Sequence, residues 1–273
     1  MRNALLIVRA GDRSLHPAWL KGRGSGERRF DLHISYFGDK ADAFADRPAD
    51  VTLSFEKGGK WTGLTACLET LGDRVLQYDW IGFPDDDLIA DCRTWNRFFD
   101  ILDEMQPKLA QPALHWRSFV TWDFLIQRIG VKARWTNFVE IMTPVMSRDF
   151  FLKVRGALGA NASGYGYDFW WPTLAEPKAR SVLVVDAAPV LHTRKPLSGG
   201  LHAVLQAKGQ DVMGERDAFF AEHGGGEYPL QAYSVIPLVG GERPGRASDH
   251  RRHTVSKRLR HWRNRRGVTE ISR

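Results

Sequence analysis

The sequence predicts an α/β protein with a mixed, mainly parallel β-sheet flanked by helices. Short apolar segments typical of buried strands recur through the first half of the chain. Two of them are followed by segments whose apolar residues are spaced three and four apart, as on one face of a helix. The links between these segments are short, and such an order is typical of an α/β sheet.

The first half of the chain contains four predicted strands and two predicted helices. The first strand is a continuous apolar run that fits a central parallel strand, and the second alternates apolar with polar residues. The predicted strands are Ala4–Val8, Phe30–Tyr36, Val51–Phe55 and Tyr78–Phe83. One helix, following Trp61, has its leucines on one face, and the other covers residues 89–105.

The second half of the chain is less regular. Its predicted elements are a strand-like segment Asn137–Met142, a helix over 148–158 with Ser147 as N-cap, a glycine-rich loop Asn161–Asp168, a strand Ser181–Asp186 and a helix over 212–223. We predict one domain over residues 1–240 and a flexible basic tail over 241–273, where Gly, Pro, Arg, Ser and His dominate.

The net charge of +7 is concentrated in the tail. Residues 243–273 contain eleven Arg or Lys and two acids, for +9, which leaves 28 basic and 30 acidic groups, or −2, in the rest. The body is slightly acidic and the tail alone makes the protein basic, so the overall charge is no argument for a nucleic-acid-binding fold. The tail fits an anionic membrane surface or a nucleic acid, with solvated disorder as the simpler alternative.

The expected compartment is the cytoplasm, with peripheral attachment at the inner membrane face through the tail. The two cysteines, Cys67 and Cys92, lie in no metal-binding or redox motif, which favours a reducing compartment. The first apolar run ends at Arg9, too early for a signal peptide or a membrane span.

An acidic cluster, Asp85-Asp86-Asp87, follows the apolar run that ends at Pro84. Adjacent like charges repel, and a divalent cation with hard oxygen ligands, Mg²⁺ or Mn²⁺, removes that repulsion. The alternative is a solvated acidic turn that caps the following helix.

Four loops with polar residues leave the predicted strands: Arg9–Asp12, Phe37–Asp39, Lys57–Trp61 and Asp85–Asp87. A parallel sheet brings such ends to one edge. Together these loops offer glycines that let the backbone approach a ligand closely, a lysine for phosphate charge and carboxylates for a metal. A nucleoside diphosphate with a bound metal requires all three. The binding candidates are Arg9, Gly11, Asp12, Asp39, Lys60 and Asp86. Lys60 is the candidate for the diphosphate, or else a solvated lysine at a helix start.

The order of these motifs resembles the GT-A glycosyltransferases: a strand, an Asp-x-Asp, a glycine-aromatic-glycine-x-acid motif and a late histidine. The segments Tyr78–Ile81, Gln111–Pro112, Asn137–Arg148, Gly164–Phe169 and Val184–His192 also resemble an uncharacterised plant and bacterial family of proposed glycosyltransferases. The resemblance covers roughly residues 4–195 and departs at Pro84, where that family tends to have an aromatic residue.

The resemblance implies roles for particular residues. Asp85 and Asp87 would hold a metal that bridges the phosphates of a nucleotide-diphospho-sugar, with His192 as a further ligand. Asp86 would point to the ribose of the nucleotide or to a neighbouring residue that supports the site. His192 has the alternative role of an ordinary histidine after a strand.

Two acids are candidates for the general base. Asp168 follows two glycines that allow close approach to a sugar, and it could also cap a helix. Glu140 is the rival, because an acid in an apolar segment is costly unless it is used or paired. Trp170 and Trp171 are candidates for the floor of the acceptor site, with core packing as the alternative.

The sequence therefore predicts a metal-dependent transferase that moves a sugar from a nucleotide donor to a hydroxyl of a glycan or lipid-linked acceptor. One alternative is an Asp-cluster phosphohydrolase or nucleotidyltransferase. Another is a non-catalytic protein that binds carbohydrate or nucleic acid.

Overall fold

The computed structural model describes residues 2–22, 27–195 and 211–245. A twisted mixed sheet runs through the described part, with the strand order β11-β10-β7-β9-β6-β8-β4-β1-β2-β3 and β5 paired to the end of β9. The strands are β1 Ala4–Ala10, β2 Phe30–Tyr36, β3 Val51–Phe55, β4 Trp80–Gly82, β5 Leu88–Ile89, β6 Leu109–Leu114, β7 Val131–Thr136, β8 Val145–Ser147, β9 Val182–His192, β10 Ala232–Pro237 and β11 Arg243–Pro244.

Helices cover both faces of the sheet. They are α1 Lys60–Leu71, α2 Cys92–Met105, α3 Arg148–Val154, α4 Tyr167–Leu174 and α5 Val212–His223. The central strand β1 is buried along its whole length. Its Leu6 and Val8 pack in the core on the α2 side, and Leu5 and Ile7 pack in the core on the α1 side. This two-sided burial explains why β1 is a continuous apolar run.

The strand directions decide which loops meet. Strands β3, β2, β1 and β4 are parallel. Strand β8 is antiparallel to both β4 and β6, and β9 is parallel to β6. The carboxyl ends of β1, β4, β6 and β9 therefore lie at one edge of the sheet, which we call the carboxyl edge. The predicted fold class, a mixed and largely parallel sheet flanked by helices, is confirmed.

Several predicted elements differ from the structure. Residues 137–142 form no strand and instead connect β7 to β8. Helix α3 ends at Val154, earlier than predicted, and a 3₁₀ turn follows it. The sequence indicated neither β6 nor β7, since β6 contains Gln111 and Pro112 and β7 contains charged residues. Strand β11 pairs with β10 beyond the domain boundary predicted at residue 240. The rest of the tail, residues 246–273, lies outside the described residues.

In the described ranges, no helix has the length and apolar character to cross a membrane.

Candidate active site

The acidic cluster lies at the carboxyl edge, directly after β4. Asp85 pairs with Arg9 at the end of β1 through a parallel bridge, and its backbone N–H donates to the Met142 carbonyl at 2.8 Å. Helix α2 begins after Asp91, whose carboxylate accepts a hydrogen bond from the Thr94 N–H. The alternative in which the acidic cluster caps this helix is therefore wrong.

Asp85 faces Lys60, the first residue of α1. The Lys60 ammonium donates to Asp85 Oδ1 at 2.6 Å and to the carbonyls of Ile141 and Met142 at 2.6 and 3.1 Å. Burial raises the pKa of Asp85 even though Lys60 opposes this shift. The side chain of Asp85 nevertheless stays 35% exposed. It is thus the acid of the cluster that a ligand can reach.

Asp86 fixes the loop after β1. Its Oδ2 accepts from the Gly11 N–H at 2.9 Å, and its Oδ1 accepts from the Arg194 guanidinium at 2.7 Å. A second guanidinium nitrogen of Arg194 donates to the Arg13 carbonyl at 2.8 Å. Because both carboxylate oxygens are occupied, Asp86 holds the site together rather than presenting a free ligand atom.

Asp87 and His192 face each other across the site. His192 Nε2 lies 3.1 Å from Asp87 Oδ2, and His192 Nδ1 lies 2.7 Å from the Phe119 carbonyl. Burial lowers the pKa of His192, but the Asp87 carboxylate and the Phe119 carbonyl outweigh it and raise the pKa to about 9. Burial raises the pKa of Asp87, and His192 more than offsets this, so that it lies below its usual value. The pair therefore holds one proton between its facing atoms.

Glu140 and Asp168 are buried carboxyl groups close enough to repel each other. Burial raises the pKa of Glu140 to about 7, with His192 and Lys60 opposing. Burial and then the charge of Glu140 raise the pKa of Asp168 to about 7. Glu140 Oε2 has no hydrogen-bond partner, and Asp168 Oδ1 accepts from the Phe169 N–H at 3.1 Å. Two such carboxyls share protons near neutral pH and can take up or release one.

Arg9 lies under the site. Its guanidinium is buried and donates to Ser35 Oγ at 2.8 Å and to the carbonyls of Glu56 and Gly58 at 3.0 and 2.9 Å. Helix α1 approaches so closely that a Cβ on Gly63 would lie 2.3 Å from this guanidinium. In this conformation Arg9 supports the loop before α1.

The side chains of the remaining predicted binding residues, Asp12 and Asp39, have partners outside the acidic cluster. Asp12 Oδ1 accepts from the Tyr36 hydroxyl at 2.5 Å, and Asp12 Oδ2 lies 3.4 Å from the Lys40 ammonium. Asp39 is 99% exposed and pairs with Lys57 at 2.6 Å. Sequence reasoning missed Arg194, whose one signal was its position two residues after His192.

The two candidate tryptophans belong to the core. Trp171 is fully buried and stacks on Tyr167, with ring centroids 5.2 Å apart. Trp170 packs edge-on against Phe219 of α5 and donates from its indole N–H to the His223 carbonyl at 3.2 Å. The floor of the acceptor site predicted from these residues is wrong, because both rings are buried in the core, Trp171 against Tyr167 and Trp170 against α5.

The three predicted metal ligands do not converge in this conformation. Within residues 2–22, 27–195 and 211–245, no group of three or more His, Cys, Asp or Glu side chains is arranged to hold a metal ion. Asp85 turns to Lys60, while Asp87 and His192 turn to each other. The donor set still fits a cation, because the Phe119 carbonyl holds His192 Nδ1 and leaves Nε2 aimed at a carboxylate.

The fold is that of the GT-A-type glycosyltransferases, as the resemblance implied. The structure of S. aureus TarS 1–349 in complex with UDP-GlcNAc is similar over 74% of this chain and 61% of that chain, with 12% identity and a TM-score of 0.50. Glucosyl-3-phosphoglycerate synthase from Mycobacterium tuberculosis, in complex with Mn²⁺, UDP and glucosyl-3-phosphoglycerate, is similar over 89% and 90% of the two chains, with 13% identity and a TM-score of 0.44.

The likeness to TarS concerns the fold alone, since the identity is low. The chain spans less than two thirds of the length of that TarS chain. No family model and no curated protein matches the sequence.

Proposed function

We propose that the protein is a metal-dependent glycosyltransferase, which moves a sugar from a nucleotide-diphosphate donor to a hydroxyl acceptor. The observation that carries this proposal is the facing pair of Asp87 and His192 beside the reachable Asp85 on a GT-A fold. The TarS structure contains UDP-GlcNAc, which supports a nucleotide sugar as the donor class. The sugar is a hexose or a related sugar.

Asp87 and His192 would hold Mn²⁺ or Mg²⁺ by exchanging the proton between them for the metal, and Asp85 would join them. The bound metal supplies Lewis-acid stabilisation of the departing diphosphate. If Asp85 turns to the metal, the Lys60 ammonium loses its carboxylate partner and becomes available for a phosphate oxygen. Gly11 and Asp86 set the loop after β1 in which we place the nucleotide, and Arg9 supports the neighbouring loop.

Asp168 is our choice for the general base, with Glu140 as its partner. In the transfer, the acceptor oxygen forms a bond to the anomeric carbon, the bond from that carbon to the diphosphate oxygen breaks, and the hydroxyl proton moves to the base. With a pKa of about 7, a carboxyl can accept this proton at neutral pH. Glu140 raises the proton affinity of Asp168 through repulsion.

We place the enzyme in the cytoplasm, at the inner membrane face, with a glycan or lipid-linked acceptor. The charge of +9 over residues 243–273 supports attachment to anionic lipid. Deleting residues 246–273 should weaken binding to anionic vesicles while leaving donor binding intact.

The test of the proposed function is calorimetric binding of UDP, GDP and their sugars with and without Mn²⁺. We expect binding that EDTA abolishes and Mn²⁺ restores, and we expect Asp87→Asn to behave like the EDTA-treated protein. Asp79→Asn is the matched control, because Asp79 lies at the opposite end of β4 and pairs with Arg148. If nucleotide binding in EDTA and in Asp87→Asn is as strong as in the wild type with Mn²⁺, the metal role is contradicted. Absence of any nucleotide binding would contradict the proposed function.

A further inference from the structure

Exposed apolar side chains concentrate at the carboxyl edge, where the candidate active site lies. Among the described residues, the large exposed apolar side chains apart from Leu152 and Met213 lie at the ends of strands at this edge or in the loops next to them. They are Phe37, Phe55, Ile89, Trp116, Ile129, Leu238 and Val239. A soluble surface normally scatters such residues singly, so this concentration indicates a contact surface.

Three of these residues form one continuous feature, which we call the aliphatic tip: Ile129, Leu238 and Val239. Their exposed fractions are 92%, 54% and 90%. Ile129 sits in a turn closed by the Val131 N–H and the Arg128 carbonyl at 3.2 Å. The Leu238 N–H donates to the Gly130 carbonyl at 2.9 Å and ties the two loops together. The tip is therefore an exposed apolar surface on two loops that are hydrogen-bonded to each other.

The strand directions place the aliphatic tip at the same edge of the sheet as the active site. Strand β7 is antiparallel to β9, and β10 is antiparallel to β7, with Val131 opposite Pro237. The start of β7 and the end of β10 thus lie at the same edge as the carboxyl ends of β9 and β4. The tip and the acidic cluster consequently face the same side of the molecule.

We propose that the aliphatic tip inserts into an anionic lipid surface and turns the carboxyl edge toward it. Three side chains offer far less contact than the ~800 Å² per partner of a standard protein interface. Aliphatic and aromatic side chains at a projecting edge, together with basic residues, are typical of attachment to the lipid interface. The excess of positive charge in residues 243–273 supplies the basic component.

This orientation favours one class of acceptor, an inference that rests on the proposed function. With the carboxyl edge on the membrane, a hydroxyl carried on a lipid-anchored molecule reaches the site directly. The acceptor class that the geometry favours is therefore a lipid-linked one. Binding of the tip to lipid requires neither donor nor transfer, so it can be measured separately.

The first measurement is co-sedimentation of the full chain with phosphatidylcholine vesicles, with and without phosphatidylglycerol. We expect Ile129→Ser/Val239→Ser to lower partition to the anionic vesicles about tenfold or more, because two inserted aliphatic side chains are lost. Leu152→Ser/Met213→Ser is the matched control, since it removes two exposed apolar side chains from α3 and α5. Equal partition of the two double variants would overturn the proposal.

The second measurement places a polarity-sensitive fluorophore on Val239→Cys or Leu152→Cys. The native Cys67 and Cys92 are buried and free, so labelling is directed to the new thiol. We expect a blue shift on anionic vesicles for the label at position 239 and none at position 152. An unshifted label at position 239 with full sedimentation would mean that the tail binds alone, which overturns the proposal.

Self-association is the remaining outcome to separate. Sedimentation velocity shows whether the wild type is a dimer. If Ile129→Ser/Val239→Ser dissociates such a dimer and leaves partition to vesicles unchanged, the tip binds a second copy and the lipid proposal is overturned. Calorimetric donor binding without vesicles should be unchanged in every tip variant. Loss of vesicle binding with intact donor binding is then a result about the tip, not about the proposed function.

Discussion

Asp168→Asn is expected to make the protein more stable at about pH 8 and much slower as an enzyme. Folding raises the pKa of Asp168 to about 7, from about 3.9 in an unfolded chain. Three units at about 1.4 kcal/mol each give about 4 kcal/mol of cost for the ionised form in the folded state. Asparagine has the same size and no charge, and it keeps the oxygen that accepts from the Phe169 N–H.

The sign of this effect depends on pH. Below about pH 4 the carboxyl is protonated in both states, so Asp and Asn should be alike there. Between about pH 4 and about pH 7 the unfolded chain ionises while the folded protein keeps the proton, and wild-type stability falls. We expect the free energy of unfolding of the variant to exceed that of the wild type by about 1–4 kcal/mol at about pH 8. The value of about 4 kcal/mol is an upper bound, because the charge of Glu140 contributes to the shift in the pKa of Asp168.

The assay is urea unfolding of both proteins at about pH 4 and about pH 8, together with turnover of the donor. Turnover of the variant should fall about 10²–10⁴-fold, as for loss of a general base. Asp46→Asn, at an exposed turn, is the control and should change stability by less than about 0.5 kcal/mol. No gain at about pH 8, or the same gain at about pH 4, would refute the burial argument. Normal turnover would pass the role of the base to Glu140.

Two predictions concern stability alone. Arg134 and Asp186 form a fully buried ion pair at 2.8 Å. Asp186→Asn should therefore lower the free energy of unfolding in urea by about 3–5 kcal/mol, and adding Arg134→Leu should recover much of that loss. If the losses of the two single variants simply add in the double variant, the prediction is contradicted. Gly164 and Gly130 both have positive φ, but an added Cβ lies 1.9 Å from the Trp61 ring at Gly164 and meets nothing at Gly130. Gly130→Ala should therefore cost about 1 kcal/mol and Gly164→Ala about 3 kcal/mol or more; equal costs would be inconsistent with the contact.

The sequence determined the local elements where one periodicity dominates. Strands Phe30–Tyr36 and Val51–Phe55 have the predicted bounds, because apolar and polar residues alternate along a half-buried strand. The helix over 212–223 also has the predicted bounds. The position of the acidic cluster after an apolar strand was equally visible. Residues 137–142 misled, since their apolar side chains are buried without belonging to a strand.

Only the tertiary structure decided the pairing of the site residues. Nothing local in the sequence says that Asp85 turns to Lys60, that Asp87 turns to His192, or that Arg194 holds Asp86. The same applies to the unpartnered oxygen of Glu140, whose surroundings come from distant segments. These contacts join residues tens of positions apart, and their geometry follows from the strand order and register.

The aliphatic tip is a surface feature that the local sequence does not reveal and that the tertiary structure decides. Ile129 and Val239 each read as an ordinary apolar residue next to a glycine. Their exposure, and their position at the edge that carries the acidic cluster, come from the antiparallel pairing of β7 with β9 and β10. A periodic pattern records which face of an element is buried. Which ends of the elements meet is set by pairing through space, and the sequence alone does not encode it locally.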